Sequence, residues 1–265
     1  MTDYVEITEL AGDEVSREQI DRLCHRYYWA GKYCADRDVL EVACGTGQGV
    51  GYLNTLAKSV KAGDYSAAIL EIASQHYKNR FKFEQFDAQK MPFEDASFDV
   101  VLIFEALYYI PDPKLFFQEC RRVLRSGGHL LIATANKDLF DFNPSPHSHR
   151  YLGVAELSAE LGDFGFECQF FGDTPIEAVS VRQRILRPIK KIAVALDLMP
   201  KTNNSKKFLK RLIFGKLVPM PPEINANTGS SYASRPLQAG QPDAHHKVIF
   251  CAARVSDSVN SSKFL

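Results

Sequence analysis

The chain has 265 residues, 45% hydrophobic and 24% charged, with 32 Lys and Arg against 32 Asp and Glu. That balance is ordinary for a globular protein, allows one large α/β domain or two small ones, and selects no nucleic-acid or acidic partner. No run approaches the ~20 apolar residues needed to span a bilayer.

The N-terminus, MTDYVEITEL, is acidic and lacks the apolar stretch of a secretory leader. The six cysteines, at 24, 34, 44, 120, 168 and 251, form no CxxC pair. They read as reduced thiols without a metal site, which implies a cytoplasmic chain. Residues 1–15 are acidic and irregular. Ser16 caps an expected helix over 17–33 with Ile20, Leu23, Cys24, Tyr27 and Tyr28 at helical spacing. Strand-like runs follow at 38–43, 59–64, 81–86, 99–104 and 128–135, with helices expected at 47–58, 66–78 and 113–125. Gly127-Gly128 is expected to cap the last of these helices. A helix at 154–164 and strands at 166–171 and 246–254 complete the pattern, and 219–245 reads as a long loop. Alternating strands and helices imply an open, doubly wound, mostly parallel sheet.

The first strand runs into DVLEVACGTGQG, residues 38–49. A strand feeding a glycine-rich turn brings backbone close to a ligand. The dinucleotide pattern starting at Gly45 would need Gly at 50, where Val stands, and no Lys-Ser/Thr pair follows as a phosphate loop requires. Asp64 ends the second strand, in KAGDYSAA, where an acid can accept ribose hydroxyls or cap the next helix.

The third stretch discriminates. FDAQKMPFEDASFDVVLIFEALYYIPDP, 86–113, with Asp87-Ala88, Met91-Pro92-Phe93, Glu94-Asp95 and Phe98-Asp99, resembles the class I S-adenosylmethionine-dependent methyltransferases. CRRVLRSGGHLLIAT, 120–134, resembles the same family's next helix and strand, and the resemblance covers roughly 20–172. It implies a Rossmann-like α/β fold, a doubly wound seven-stranded sheet with an antiparallel last strand. It also implies S-adenosyl-L-methionine as cofactor. Gly45 and Gly47 then make room for the methionine chain, Glu41 fixes the loop or the ammonium, Asp64 suits the ribose diol and Asp87 the adenine amino group. Tyr65, Ala88 and Phe104 flank the adenine, and Tyr27 and Tyr28 close over the cofactor or pack in the core. Ala43 stands where the family most often has its first glycine, and Ser126 where proline is usual. Phe104-Glu105-Ala106 borders the transferred methyl.

Methyl transfer relies on positioning and desolvation, and a hydroxyl acceptor also needs a base. His149 and His147 lie in the loop 136–153 at the carboxyl edge of the sheet, held by Pro144 and Pro146, and with Glu105 are the catalytic candidates; the plain alternative is that these histidines face solvent. HRYYWAGKYC and NPSPHSHRYL are similar to methyltransferases of bacterial polysaccharide or natural-product pathways. The expectation is an O-methyltransferase acting on a small molecule or saccharide. The alternatives are an RNA methyltransferase and a catalytically silent S-adenosylmethionine-binding regulator.

Segment 182–216 carries eleven basic residues and one acid, Asp197. Ile185, Ile189, Ile192 and Leu196 share one helical face. Three readings stand: a helical lid, a peripheral seat on an anionic membrane at its inner face, or a phosphate contact with RNA, with no stacking pattern to favour nucleic acid. The organisation expected is an N-terminal helical segment (1–37), a cofactor-binding core (38–172), a basic helical insertion and loop (173–245), a final core strand (246–255) and a tail (256–265).

Overall fold

The computed structural model describes residues 8, 10–176, 216–230 and 232–256. The basic segment apart from Lys216 therefore lies outside the described residues.

A short strand, β1 (Glu14–Ser16), leads into helix α1 (Arg17–Cys34). Ser16 and Gln19 form a reciprocal capping box that satisfies two donors at the helix start. Strands β2 (Asp38–Val42), β3 (Ser59–Asp64), β4 (Glu84–Gln85), β5 (Phe98–Phe104) and β6 (Leu124–Ala135) pair in parallel in the order β4-β3-β2-β5-β6. Helices α2 (Val50–Asn54), α3 (Ala67–Tyr77) and α4 (Pro113–Val123) connect them, and α5 (Val154–Asp163) leads into β7 (Phe166–Pro175). Strand β10 (His246–Val255) inserts between β6 and β7, antiparallel to both.

The antiparallel last strand agrees with the sequence pattern, but the strand count does not. The sheet has eight strands, because β9 (Arg235–Leu237) adds to the edge beside β7. Three residues that include a proline are too short for any periodicity to reveal. A separate two-stranded sheet joins β1 to β8 (Leu217–Pro219), inside a stretch otherwise without apolar pattern.

The central strands are apolar runs because both faces are covered. Leu23, Ala30 and Trp29 of α1 pack on one face, with Trp29 stacked on Phe250 at 4.9 Å. Phe116, Phe117, Leu157 and Leu161 of α4 and α5 cover the other. Each of these leucines and phenylalanines contributes about 1.5–3 kcal/mol by burial.

Three expected elements are shorter or placed differently. The helix over 47–58 is only α2, since glycines at 47, 49 and 51 disfavour helix and serve close packing instead. A Cβ on Gly49 would stand 2.0 Å from the Tyr27 ring, and one on Gly51 1.7 Å from Glu223. The strand over 81–86 shrinks to β4, because Phe81 and Phe83 turn inward around Tyr77. Gly127 and Gly128 do not cap α4. Helix and strand meet directly at Val123 and Leu124, and Gly127, at φ +71°, lies where the β5–β6 register shifts.

Candidate active site

The carboxyl ends of β2, β3, β4 and β5 open onto one cavity of about 660 Å³, within the usual range for a small-molecule site. Its floor is the loop that leaves β2. Cys44 donates to the Gly63 carbonyl and Gly47 to the Cys44 carbonyl, which turns the chain sharply. Ala43 takes φ +54° and Gly45 φ +56°. The left-handed region costs an alanine roughly 1 kcal/mol, which explains why glycine would suit position 43. Glu105, at the end of β5, also sits at φ +52°.

Glu41 is buried at the cavity wall. One oxygen accepts the Tyr27 hydroxyl at 2.5 Å, and the other, Oε2, has no partner among the described residues. Burial pushes its carboxyl up to about 7, against the opposing pull of Tyr27 and Arg26. The Tyr27 hydroxyl is raised as well, by burial and by Glu41. Asp64 binds the loop from the neighbouring strand end: Oδ2 accepts from Gly45 N at 3.0 Å and Oδ1 from Ser66 N at 3.0 Å. Burial raises Asp64 too, and those backbone donors hold it back. Ser66 caps α3 through Ile69 N.

Of the residues singled out in the sequence, Glu41, Ala43, Gly45, Asp64, Tyr65, Asp87, Ala88, Phe104 and Glu105 all line this cavity. The Tyr65 ring is 50% exposed at its mouth. Asp87 accepts from Gln89 N at 2.8 Å, which shapes the turn after β4. Phe104 meets the Tyr27 ring edge-on at 5.2 Å.

Four expected residues do not line it. Tyr28 points away: its hydroxyl donates to the Asn225 carbonyl and accepts from Gly229 N, so it anchors residues 225–229 against α1. Its neighbour Tyr27 takes the cavity position. Gly47 serves internal packing, with a Cβ there 2.8 Å from Phe83. His147 and His149 are exposed on the outside of their loop, and His149 engages the site only through its backbone N–H to the Tyr108 carbonyl at 2.7 Å. That loop instead presents Ser145 to the cavity, bonded to the Tyr109 hydroxyl at 2.5 Å, while Tyr151 stacks on Tyr108 at 4.3 Å. Glu105 accepts from the Tyr108 hydroxyl at 3.2 Å.

Sequence reasoning missed Arg22 and Arg26, one turn apart on α1, whose side chains reach the cavity. A helical stripe identifies the apolar face but not which of its borders meets a void. The donor set fits an adenosyl amino acid. A buried carboxylate oxygen without a partner suits an ammonium, a strand-end acid suits a diol, and no lysine stands at the glycine loop for a phosphate. Among the described residues, no group of three or more His, Cys, Asp or Glu could hold a metal ion, and no helix is long and apolar enough to cross a membrane.

Comparisons with known proteins bear on the domain and the fold. Residues 40–132 match the family model described as a methyltransferase domain. The chain is 36% identical over 152 residues to a Mycolicibacterium smegmatis protein named "Probable S-adenosylmethionine-dependent methyltransferase", covering 56% of each chain. It is 38% identical over 160 residues to phthiotriol/phenolphthiotriol dimycocerosates methyltransferase 1 of Mycobacterium ulcerans, covering 59% of this chain and 54% of that one. The chain thus spans about half the length of the curated relatives it matches. The YcgJ protein of Bacillus subtilis shares the fold at a TM-score of 0.56 and 16% identity, over 88% of this chain and 98% of that one. The [4+2]-cyclase SpnF does so at a TM-score of 0.55 and 16% identity, over 94% and 88% respectively. Residues 40–132 therefore match a methyltransferase domain, and the relatives the chain resembles include proteins named as S-adenosylmethionine-dependent methyltransferases.

Proposed function

We propose that this chain is an S-adenosylmethionine-dependent methyltransferase that O-methylates a small molecule or a saccharide. The observation that carries the reading is the pairing of Glu41, buried with one oxygen unpartnered among the described residues, and Asp64 around one turn of glycine-loop backbone. When bound, the cofactor supplies a methyl group on a sulfonium, open to displacement. Glu41, ionised, would hold its ammonium, with Arg26 beside it for the carboxylate. Asp64 keeps lone-pair capacity for the ribose diol, since a carboxylate offers about four acceptor sites and its backbone partners are Gly45, Ser66 and Tyr65. Tyr65, Asp87 and Ala88 line the adenine end.

Glu105 is the base this reading favours. It lies at the end of β5 on the cavity wall and would receive the proton of the acceptor hydroxyl as that oxygen takes the methyl. Tyr108 orients it, and the Tyr109–Ser145 hydroxyl pair offers the acceptor a polar contact. A hydroxyl acceptor is supported by the Mycobacterium ulcerans relative, whose name specifies a triol. The membrane seat expected of segment 182–216 remains part of the proposal, as a means of reaching an acceptor at a lipid surface.

Calorimetry tests the cofactor. S-adenosylhomocysteine should bind and NADH should not, and Asp64→Ala should weaken binding by about 1–3 kcal/mol, the cost of lost bonds to a charged group. NADH binding in place of S-adenosylhomocysteine would overturn the reading. Labelled-methyl transfer to host extract, split into RNA, lipid-linked glycan and small-molecule fractions, tests the acceptor. Label in RNA, or binding without any transfer, would select the nucleic-acid or the regulatory alternative.

A further inference from the structure

The cavity is larger than its cofactor end. Beyond Glu41 and Glu105 its lining continues to Ala135, at the end of β6, and to Lys247 and Val248, at the start of β10. In the sheet order β2-β5-β6-β10 those residues lie two and three strands from the glycine loop. At about 4.8 Å per strand, the space extends some 10–14 Å sideways. Helix α1 contributes Gln19, Arg22 and Arg26 to the same cavity, and its Glu18 pairs with Lys247 at the far end.

The charges there do not balance internally. Lys247 is paired with Glu18 at 2.5 Å. Asp21 turns to Arg17 and to Ser230 N, away from the cavity. Arg22 and Arg26 are half-buried, and the Nε of each is fully buried without a hydrogen-bond partner among the described residues. Among the described residues neither guanidinium forms an ion pair, and Arg26 has the Tyr27 ring beside it, 5.9 Å from the centroid. A guanidinium cannot shed its proton, so a half-buried one without a partner is costly unless a ligand completes it. The cofactor, in the proposed reading, brings one carboxylate and so satisfies one arginine. Arg26 is the nearer, since it acts on the Glu41 carboxyl. Arg22 lies one helical turn further, about 6 Å along the axis, toward Glu18, whose carboxylate pairs with Lys247 of β10.

We propose that Arg22 is the anchor of a second anion site, and that the methyl acceptor carries an oxyanion, a carboxylate or a phosphate monoester, which this guanidinium grips while the reacting hydroxyl lies at Glu105. The geometry of the fork suits two parallel N–H···O bonds to either group. The inference rests on the methyltransferase reading for its purpose, though not for its existence as a binding site.

The test uses the full chain in low-chloride buffer, saturated with S-adenosylhomocysteine and titrated with benzoate and phenyl phosphate. Benzamide and benzyl alcohol serve as uncharged counterparts. At least one anion should bind tenfold or more tightly than its counterpart. Arg22→Gln should weaken that binding by about 10- to 100-fold, Arg22→Lys should retain part of it, and both variants should hold S-adenosylhomocysteine within twofold of the parent. The proposal is overturned if the anions bind no better than the uncharged probes, or if Arg22→Gln leaves their binding intact. It is also overturned if Arg22→Gln loses S-adenosylhomocysteine, which would assign Arg22 to the cofactor carboxylate. The same titration without cofactor separates the two readings: anion binding through Arg22 in a chain that never binds S-adenosylhomocysteine would refute the methyltransferase and keep the site.

Discussion

Glu41 should couple cofactor affinity to pH. Burial holds its carboxyl at about 7, yet the ammonium it is proposed to bind requires the ionised form. At pH 6 only about one carboxyl in eleven is ionised, and at pH 8 about ten in eleven. If only that fraction is competent, the dissociation constant for S-adenosylhomocysteine falls about tenfold from pH 6 to pH 8, or about 1.4 kcal/mol. Calorimetry at pH 6 in two buffers of different ionisation enthalpy should show nearly one proton released per ligand bound. Glu41→Gln keeps an acceptor for the Tyr27 hydroxyl but cannot ionise, so its affinity should be weak and flat across that range. Stability moves the other way. A carboxyl whose pKa is raised on folding favours the fold below its unfolded value near 4.5, and that contribution is lost as pH rises through about 7. Glu41→Gln should therefore match the parent at pH 4.5 and exceed it by about 3 kcal/mol at pH 8, in ligand-free urea melts. An affinity that is flat in the parent, or equally steep in the glutamine variant, would refute the assignment of Glu41.

Glu105→Gln should lower turnover by roughly 10²–10⁴ with cofactor affinity nearly intact, whereas His149→Ala should leave turnover within about threefold, both read by labelled-methyl transfer; the reverse pattern would return the base to the loop. Gly63→Ala should destabilise by about 1–3 kcal/mol in urea unfolding, because its Cβ would stand 2.1 Å from the Glu84 carbonyl, a backbone atom fixed by β3–β4 pairing. The chain should sediment with anionic vesicles at low salt and release them as screening shortens the reach of its charges to ~8 Å. Neutralising Arg187, Lys190, Lys191, Lys207, Lys210 and Arg211 should abolish that binding, and a shift of RNA instead would favour the nucleic-acid reading.

What the sequence made legible follows the strength of each local signal. Strands β2 and β5 are mostly apolar runs between turn residues, β3 is a weaker one, and the bounds of all three shift by no more than a residue. The glycine loop and Asp64 were readable because each sits where such a run ends. Position 43 was readable as a departure from glycine, while its reason, a left-handed backbone, needed coordinates. The histidines misled because a proline-rich loop fixes that its residues are held, not which way they point. Ser145, one residue from Pro146, faces the cavity that His147 and His149 do not line. Tyr27 and Tyr28 are adjacent on one helix, and only the tertiary contacts of residues 225–229 decide which of them faces the site.

The insertion of β10 between β6 and β7 sets an order of events during synthesis. Seventy residues, 176–245, separate the end of β7 from the strand that must lie beside it. At roughly 5–20 residues per second, a ribosome takes about 4–14 s to make them. Throughout that interval β6 and β7 have no partner on the sides that β10 will occupy, and each presents open backbone donors and acceptors to any other strand. Leu130, Leu131 and Ile132 of β6, fully buried in the finished sheet, are exposed to the same encounters. The N-terminal two thirds of the chain is thus an intermediate with a slot in its sheet, the form in which aggregation and chaperone capture compete with folding.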